Sequence, residues 1–510
     1  MKFYNLLGSD HIIGKIPANV FTDVKLKELL QRFFTEDQVK NIIEVLMQPL
    51  SRTGIIQRQE LFLELENEDI VDFFAELKKA LYGLQARFRV YSQQSNPLYK
   101  PINFVDLILE YIDFVDSICN SKFIRTTRAS LLQDFINSFM EIQASITFSH
   151  LKSEASRIKH ELREIKSVDL NIPTPTGSPR GVTIQQSISL SLADELTTIA
   201  TNIGEADAIP RRFCSNKEFT NKFMLGLSQL YPDLFAELEL FHNDYHAAFD
   251  LGIFNYINQI SFYLDMKQLF TILRECNIPL TMPQIASDKI ISINDARDIS
   301  LLIKLESGKD IIPNDIEFNK HHGFHILAGA NSGGKTVYLR VIAICQILFS
   351  GGSYIPAIKA EVYPFHNVFT HFPVDESRSD VGRLREEQNR ATEILKEVSE
   401  NSLVLLNETY SSTNEQLSLD LSYELLSKLC QIGAFGLYIT HNHKLLEQGR
   451  QVTGKTGIGH LSVVVLDDAM STRTYKIVQQ NTHTQSYAWS VLDKYKLSRK
   501  HLIKRFPGVK

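Results

Sequence analysis

The segment HILAGANSGGKTVYLR, from His325 to Arg340, decides the fold of this chain. A short apolar run is followed by a glycine-rich loop and then by a stretch suited to a helix. The loop satisfies the pattern GxxxxGK[ST] with Gly329, Gly334, Lys335 and Thr336, and Gly333 adds a further glycine. A strand, such a loop and a helix, in this order, predict a phosphate-binding loop in an α/β domain.

The residue types of this loop match the chemistry of a bound triphosphate. Glycines let backbone N–H groups turn inward around phosphates, and the following helix directs the positive end of its dipole at them. We expect Lys335 to reach the outer phosphates and Thr336 to supply a hydroxyl to Mg²⁺, so ATP and Mg²⁺ are the predicted ligands. The predicted ATP-binding residues are Gly329, Ala330, Asn331, Ser332, Gly333, Gly334, Lys335 and Thr336.

A second segment, SLVLLNETYSSTNEQ from Ser402 to Gln416, resembles the catalytic half of such a site. In proteins with this loop, an apolar strand ends in an acidic residue that holds Mg²⁺, and a glutamate directly after it can polarise the attacking water. Asn407 and Glu408 occupy the two positions. We predict Asn407, together with Thr336, at the metal and Glu408 as a catalytic residue. The alternative is a buried strand that ends in a polar turn.

A histidine follows a third apolar run, FGLYITH from Phe435 to His441. His441 lies just past this predicted strand, where its ring could reach the γ-phosphate of ATP, and we predict it as a second catalytic residue. A purely structural histidine is the alternative.

Two halves of the chain differ in their hydrophobic pattern. From about residue 290, short apolar runs alternate with helical stretches, which favours an α/β domain with a mainly parallel sheet. Residues 1 to about 290 look mostly helical, with apolar residues at steps of three and four that we interpret as packing. The segment from Ser167 to Ser187 contains three prolines and two glycines. It cannot form a continuous helix and is predicted to be a loop or small excursion.

Composition limits the partners and the compartment. The net charge of the 510-residue chain is −5, so nucleic-acid binding would need a local basic patch. The five cysteines are far apart and form no CxxC pair, which argues against a disulfide framework or zinc site and favours a reducing compartment, the cytoplasm. We predict no membrane association, because the first residues resemble no secretory signal and no apolar run approaches the length of a membrane span.

Several blocks, in the same order, resemble the MutS family of DNA mismatch-repair proteins, which is itself similar to ABC-type ATPases. They are IIPNDIEF from Ile311, the loop GANSGGKTVYLR, GGSYIPA from Gly351, LVLLNETYSSTNEQLSL, YITHNHKL, and a tail in which Ser486 and Tyr487 match. The segments Leu46–Leu65 and Phe262–Ile285 resemble, more loosely, the ends of the family's helical lever domain.

The resemblance implies a fold class and a domain organisation. The fold is a mostly α N-terminal half, with lever and clamp helices, plus an α/β P-loop ABC-type ATPase domain. Residues 1–290 would form the lever, with a small clamp-like insertion near 160–225, and residues 291–510 the ATPase domain with a helical C-terminal tail. ATP would be sandwiched between two ATPase domains, so a homodimer is implied.

The clamp-like region suggests where DNA could be held. Lys159, Arg163, Arg211 and Arg212 are the predicted DNA-binding residues, and they would contact phosphates rather than bases. The alternative is a solvated helix face, because acidic residues such as Glu161 and Glu164 are interleaved with the basic ones.

The chain also departs from the family pattern. We expect neither the mismatch-reading domain that precedes the lever nor the C-terminal Smr domain, so duplex or branched DNA held by shape is the expected cargo. Asn407 replaces an aspartate, which predicts slow ATP hydrolysis. The resulting hypothesis is a MutS-like ATP-dependent DNA-binding protein that acts as a dimeric clamp in DNA repair or recombination. A nucleotide-switched protein-interaction module without DNA binding is the alternative. An ATPase of the SMC or recombination type, which would need a long coiled coil, is less favoured.

Overall fold

The computed structural model describes residues 4–165, 168–172, 180–184, 224–305, 307–328, 334–373, 380–410, 413–449, 451–452, 454–465 and 473–479. Several residues predicted from the sequence lie outside these ranges: Gly329, Ala330, Asn331, Ser332, Gly333, Arg211, Arg212, Ser486 and Tyr487.

The α-helices are, in chain order, α1 (Ala18–Asp23), α2 (Leu26–Phe33), α3 (Glu36–Leu46), α4 (Arg52–Glu64), α5 (Glu68–Gln93), α6 (Lys100–Cys119), α7 (Ser130–Ala144), α8 (Ile146–Glu164), α9 (Pro232–Tyr245), α10 (Asn255–Glu275), α11 (Lys335–Ser350), α12 (Asp380–Glu397), α13 (Glu415–Ile432) and α14 (His443–Gly449). The strands are β1 (Val168–Ile172), β2 (Arg180–Ile184), β3 (Gln284–Ile285), β4 (Ile291–Ala296), β5 (Asn314–Phe318), β6 (Phe324–Ala328), β7 (Lys359–Val362), β8 (Asn367–His371), β9 (Ser402–Asn407), β10 (Phe435–Thr440), β11 (Ile458–Val465) and β12 (Arg473–Gln479).

The chain divides into two compact units. The helical unit comprises Met1–Leu6 and Asn67–Ile260, and the sheet unit comprises Leu7–Glu66 and Ser261–Lys510. This division does not follow the predicted domain boundary near residue 290, because residues 7–66 group with the α/β part of the chain. The assignment of lever, clamp-like insertion and ATPase domains stays a prediction.

In the helical unit, α6 is the central helix and contacts α5, α7, α8 and α9. It is apolar on nearly every side, as a helix surrounded by others must be. The apolar residues interpreted as packing are largely buried: Leu234, Leu238 and Phe241 on α9, and Ile253, Ile257 and Ile260 around the start of α10. No helix in the described ranges is long and apolar enough to cross a membrane.

The segment that follows α8 contains an antiparallel strand pair. Strands β1 and β2 are in register with Leu170 opposite Val182. A continuous helix is absent from these described residues, as the prolines and glycines predicted. The strand pairing itself was not predicted.

The core of the sheet unit is a mainly parallel sheet. In the part of the chain that the structure describes, its six strands have the order β12-β11-β6-β10-β9-β8. Only β12 runs antiparallel to its neighbour. Strands β6, β9 and β10 are buried along their whole length, so they read as continuous apolar runs in the sequence. The helical first half and the α/β architecture with parallel strands agree with the prediction.

The first helices of the chain pack against the α/β part, and a buried arginine makes one of the contacts. Arg58 of α4 is 2% exposed and donates from Nη1 to the carbonyl oxygen of Gly351 at 3.0 Å. Gly352 has a φ of 70°, and a Cβ on it would lie 2.8 Å from the Cβ of Arg58. Gly352 therefore allows α4 to approach the end of α11, and Gly351 does the same for Leu46 of α3.

A smaller sheet completes the sheet unit. Its strands have the order β3-β7-β4-β5 among the described residues, and β4 pairs antiparallel with both β5 and β7. Strand β5 leads directly toward β6 and the predicted phosphate loop.

Candidate nucleotide site

The carboxyl ends of three neighbouring parallel strands meet at one edge of the large sheet. Strand β10 lies between β6 and β9, with Thr440 paired to Ala328 and Ile439 paired to Asn407. The residues that follow these strands therefore come together, although they are far apart in sequence. This edge is where open α/β sheets bind their ligands.

Three predicted side chains form a continuous chain of contacts at this edge. Lys335, at the start of α11, has its Nζ atom 3.3 Å from Nδ1 of His441. Nε2 of His441 in turn contacts the carboxylate oxygen Oε1 of Glu408. The side chains of His441 and Glu408 remain 39% and 30% exposed, so a ligand or water can reach both.

The charges of these groups influence one another. Burial lowers the pKa of Lys335 to about 8, and the carboxylate of Glu408 opposes that shift. Burial acts to raise the pKa of Glu408, but the hydrogen bond and charge of His441 and the nearby Lys335 outweigh it, so this pKa lies below its ordinary value. Glu408 is therefore ionised at neutral pH.

Gly334 is the residue before the helix and has a φ of 89°. Only glycine adopts this left-handed conformation at little cost, which explains the glycine directly before Lys335. Thr336 lies next to Lys335 in the first turn of α11. The remaining predicted phosphate-loop residues, 329–333, lie outside the described residues.

The loop has an aromatic neighbour that was not predicted from the sequence. A Cβ on Gly334 would lie 3.5 Å from Cδ1 of Tyr475, which is itself 46% exposed. Asn314 of β5 holds β12 in place, because its side chain accepts from the N–H of Ile477 and donates to the carbonyl oxygen of Tyr475. No local signal marks this tyrosine, since the contact arises only when β12 and β5 approach each other.

Asn407, at the end of β9, offers an unused acceptor. The residue is 7% exposed, and its Oδ1 atom accepts no hydrogen bond from the described part of the chain. A buried polar atom without a partner is uncommon and fits a position that a ligand completes. An open cleft of about 690 Å³ adjoins Glu408 and His441 at the same edge.

The described residues contain no cluster of three or more His, Cys, Asp or Glu side chains that could hold a metal ion. Mg²⁺ in nucleotide sites takes only one or two protein ligands, and phosphates and water supply the others. An amide oxygen from Asn407 and a hydroxyl from Thr336 are oxygen ligands of the kind that Mg²⁺ prefers.

The basic residues of α8 have a different environment. Lys159 is 5% exposed, and its Nζ atom lies 3.0 Å from Oδ1 of Asp106 on α6. The predicted DNA contact by Lys159 does not fit this geometry, because reaching a phosphate would leave a buried carboxylate unpaired. Arg163 is exposed. Its DNA contact, and those of Arg211 and Arg212 outside the described residues, stay predictions.

Other basic side chains of α8 also pair with carboxylates. Lys152 lies 2.6 Å from Asp116, and Arg157 lies 2.7 Å from both Glu161 and Glu237. These ion pairs agree with the alternative reading of this helix as a solvated face with interleaved acids.

Comparisons with known proteins point to one family. Residues 325–505 match the family model described as MutS domain V, and this match includes β6, α11, β9 and β10. The chain is similar to a DNA mismatch repair protein MutS from Streptococcus uberis, with 28% identity over 203 residues, which are 39% of this chain and 23% of that protein.

Two further relatives carry the same description. The protein from Macrococcus caseolyticus is 27% identical over 237 residues, covering 46% of this chain and 28% of the relative. The protein from Synechococcus sp. is 32% identical over 169 residues, covering 32% of this chain and 19% of the relative. The chain thus spans less than a third of the length of these curated relatives.

Proposed function

Since the chain belongs to the MutS family through its domain V, we propose that it is a dimeric ATP-dependent DNA-binding protein that hydrolyses ATP slowly. The observation that carries the proposal is the contact chain Lys335–His441–Glu408 at the carboxyl edge of the parallel sheet. It links the predicted phosphate-binding residue to the two predicted catalytic residues. The proposed nucleotide-binding architecture is the P-loop, ABC-type ATPase domain.

Each of the three residues has a distinct role in this proposal. Lys335 binds the outer phosphates of ATP, and their negative charge favours its protonated form. Glu408, ionised at neutral pH, orients and polarises the attacking water. His441 lies between them, and with both ring nitrogens protonated it donates from Nε2 to Glu408 and from Nδ1 to the γ-phosphate. The contact between Lys335 and His441 is therefore one that bound phosphate would replace.

Mg²⁺ would neutralise part of the charge that develops on the phosphates during hydrolysis. Thr336 and Asn407 would hold it, and the Oδ1 atom of Asn407, which has no hydrogen-bond partner among the described residues, supports this assignment. Asparagine supplies an oxygen but no negative charge, so its interactions with a metal-bound water are weaker than those of aspartate. Slow hydrolysis and a long-lived ATP state follow from this difference.

The first test measures ATP binding and ATP hydrolysis. Purified protein should bind ATP and release phosphate slowly, at a rate that exceeds the background of a Glu408→Gln variant. Binding without turnover above that background would make the chain a nucleotide-gated binding protein and not an enzyme. Absence of ATP binding would reject the proposed site.

The dimer and the DNA binding in this proposal rest on the resemblance to the MutS family. ATP that is not hydrolysed should increase the dimer fraction in light scattering, because ABC-type sites are completed by a second copy. A monomer under all nucleotide conditions at micromolar concentration would contradict the dimer. DNA binding should weaken steeply with salt, since phosphate contacts release counterions.

A second candidate is a nucleotide-switched protein-interaction module without DNA binding. The carboxylate partners of Lys152, Arg157 and Lys159 favour it, because paired basic residues offer less charge to a phosphate backbone. One assay separates the two: binding to homoduplex, mismatched and branched DNA, with and without ATP, at two salt concentrations. Weak binding that does not respond to nucleotide, salt or DNA structure would favour the interaction module.

A further inference from the structure

The turn that carries Glu408 has an unusual backbone. Glu408 and Tyr410 have φ values of 50° and 64°, in the left-handed region that residues with a Cβ rarely adopt. Two such residues around Thr409 raise the free energy of the turn, which persists only where its surroundings hold it. The position of the Glu408 carboxylate therefore depends on the groups that hold this turn.

Two hydrogen bonds connect the turn to β10. The backbone N–H of Glu408 donates to the carbonyl oxygen of Ile439 at 3.0 Å. The hydroxyl of Tyr438 donates to the carbonyl oxygen of Thr409 at 3.0 Å. The first bond continues the main-chain pairing of β9 and β10, whereas the second depends on a single side chain.

The Tyr438 hydroxyl is oriented by a second hydroxyl. Ser422 of α13 has its Oγ atom 2.6 Å from the Tyr438 oxygen, and the two residues are 3% and 1% exposed. A phenol has one proton, so Ser422 donates to Tyr438 while Tyr438 donates to Thr409. Burial raises the pKa of Tyr438, which keeps this donor protonated.

The packing around the ring leaves the hydroxyl few other positions. Tyr438 belongs to a buried apolar cluster with Leu406, Leu419 and Leu426. Rings in such close-packed interiors occupy fixed rotamers. The donor is thus held from three directions: by its own strand, by α13 and by the apolar cluster.

We propose that Tyr438 is a positioning residue for Glu408, which holds the Glu408–Tyr410 turn so that the carboxylate faces His441 and the attacking water. The inference rests on the proposed hydrolysis of ATP. Tyr438 acts through the turn and touches no reacting atom. Small displacements of a group that orients water have large effects on rate, so a turn in which one of two hydrogen bonds comes from a single buried hydroxyl is a sensitive point.

The substitution that isolates this role is Tyr438→Phe. It keeps the ring in the apolar cluster but leaves the Thr409 carbonyl and the Ser422 hydroxyl without their partner. The turn can then relax toward ordinary backbone angles. Lys335 and Gly334 lie on different elements, so ATP binding should be retained.

We expect the substitution to lower the rate of ATP hydrolysis without weakening ATP binding. Tyr438→Phe should lower kcat about tenfold or more, and leave the Kd for a non-hydrolysed ATP analogue within about twofold of the parent value. Ser422→Ala should lower kcat in the same direction but less. The matched control is Tyr256→Phe, which removes a buried hydroxyl that donates to the Tyr4 carbonyl oxygen at 2.7 Å in the helical unit.

A double substitution tests whether Tyr438 acts through Glu408. In the Glu408→Gln background, Tyr438→Phe should change the residual rate by less than about twofold, because the group it positions is already lost. Amide hydrogen exchange at residues 408–410 should accelerate in Tyr438→Phe. An equal fall in rate in both backgrounds would show that the effect of Tyr438 does not pass through Glu408. Unchanged exchange would show that Tyr438 does not hold the turn, and either result would overturn the inference.

The outcomes separate this inference from the proposed function. If the parent hydrolyses ATP and Tyr438→Phe does so at the same rate, the inference fails and the proposed hydrolysis stands. If the parent shows no turnover above the Glu408→Gln background, the proposed hydrolysis fails and the inference fails with it.

Discussion

Two regions carry charged residues that we predicted from the sequence to be functional. They are the nucleotide site of the sheet unit and the basic helix α8 of the helical unit. At the sheet edge, Lys335, His441 and Glu408 come from three separate elements and contact one another. On α8, by contrast, Lys152 and Lys159 each face a carboxylate of the same unit. Charged residues at the ends of buried parallel strands converge because of the topology, whereas charges on a helix face have no such constraint.

The largest expected effect at the sheet edge is that of Lys335→Ala. We expect ATP affinity to fall by at least about a hundredfold, because a cation facing several phosphate oxygens is lost. Isothermal titration calorimetry with ATP measures the effect. Lys320→Ala, which removes an exposed lysine before β6, is the control and should bind as the parent does. Equal affinity of Lys335→Ala and parent would reject the phosphate-loop assignment.

Glu408→Gln should separate hydrolysis from binding. The amide cannot accept a proton from water, so we expect phosphate release to fall about a hundredfold or to background, with ATP affinity nearly unchanged. Glu424→Gln, at an exposed glutamate of α13, is the matched control. A Glu408→Gln variant with full turnover would remove Glu408 from the chemistry and leave the sheet edge as a binding site only.

For the ion pairs of α8, the free energy of unfolding is the quantity to measure. Lys159→Ala leaves Asp106 buried and unpaired, and we expect a loss of about 3–5 kcal/mol in the free energy of unfolding. Lys152→Ala, at a pair whose lysine is 50% exposed, should cost less than about 1 kcal/mol. Replacing both partners, with Lys159→Met and Asp106→Leu, should recover most of the stability. Denaturant unfolding measures all three, and equal losses for Lys159→Ala and Lys152→Ala would contradict the difference in burial.

The same variant has a predicted pH dependence. Burial raises the pKa of Asp106, and Lys159 opposes this shift in the parent. Without Lys159 the folded-state pKa rises further above its unfolded value. Such a group stabilises the fold below the unfolded pKa and loses this contribution as pH rises through the folded pKa. The deficit of Lys159→Ala relative to the parent should therefore be smaller near about pH 4 than near about pH 7.

The two regions also show what can be predicted from sequence. Strands β9 and β10 were predictable because each is buried along its whole length and is therefore mostly apolar. The turn before Lys335 was predictable because Gly334 belongs to the phosphate-loop pattern, and Gly334 has the left-handed conformation that such a turn requires. Both signals are local. The partners of Lys159 and the position of Tyr475 depend on contacts between distant segments, which no local pattern contains.

The boundaries of the compact units illustrate the same limit. Helix α4 reads as one more helix of the first half. It belongs to the sheet unit, where Arg58 hydrogen-bonds to Gly351 nearly three hundred residues later. The left-handed Gly352 belongs to the end of α11, where the N–H of Ser353 donates to the carbonyl oxygen of Leu348, but its closeness to Arg58 could not be read from either segment alone.

Asn407→Asp tests whether residue 407 contributes to Mg²⁺ binding in the nucleotide site. A carboxylate would bring a negative charge to the water shell of Mg²⁺, and we expect hydrolysis to rise roughly tenfold, most clearly at low Mg²⁺. Steady-state phosphate release across a Mg²⁺ titration measures it. The double variant Asn407→Asp/Glu408→Gln should remain at background. A rate that does not respond to Asn407→Asp at any Mg²⁺ concentration would show that Asn407 does not contribute to the metal site.

The smallest expected effect concerns the protonation of Lys335. Burial lowers the pKa of Lys335 to about 8 in the free protein, whereas bound phosphates favour the charged form and raise it. Above pH 8, binding must therefore take up a proton, and affinity falls as pH rises. Between about pH 7 and pH 8.5 the charged fraction, and with it ATP affinity, should fall about fourfold. Calorimetry in buffers of different ionisation enthalpy should detect the proton uptake. Lys335→Arg keeps its charge throughout this range, so its binding, although weaker, should show neither the decline nor the uptake. A parent affinity that is constant across the range would mean that Lys335 is fully charged before ATP arrives, and that burial does not weaken its charge at this edge.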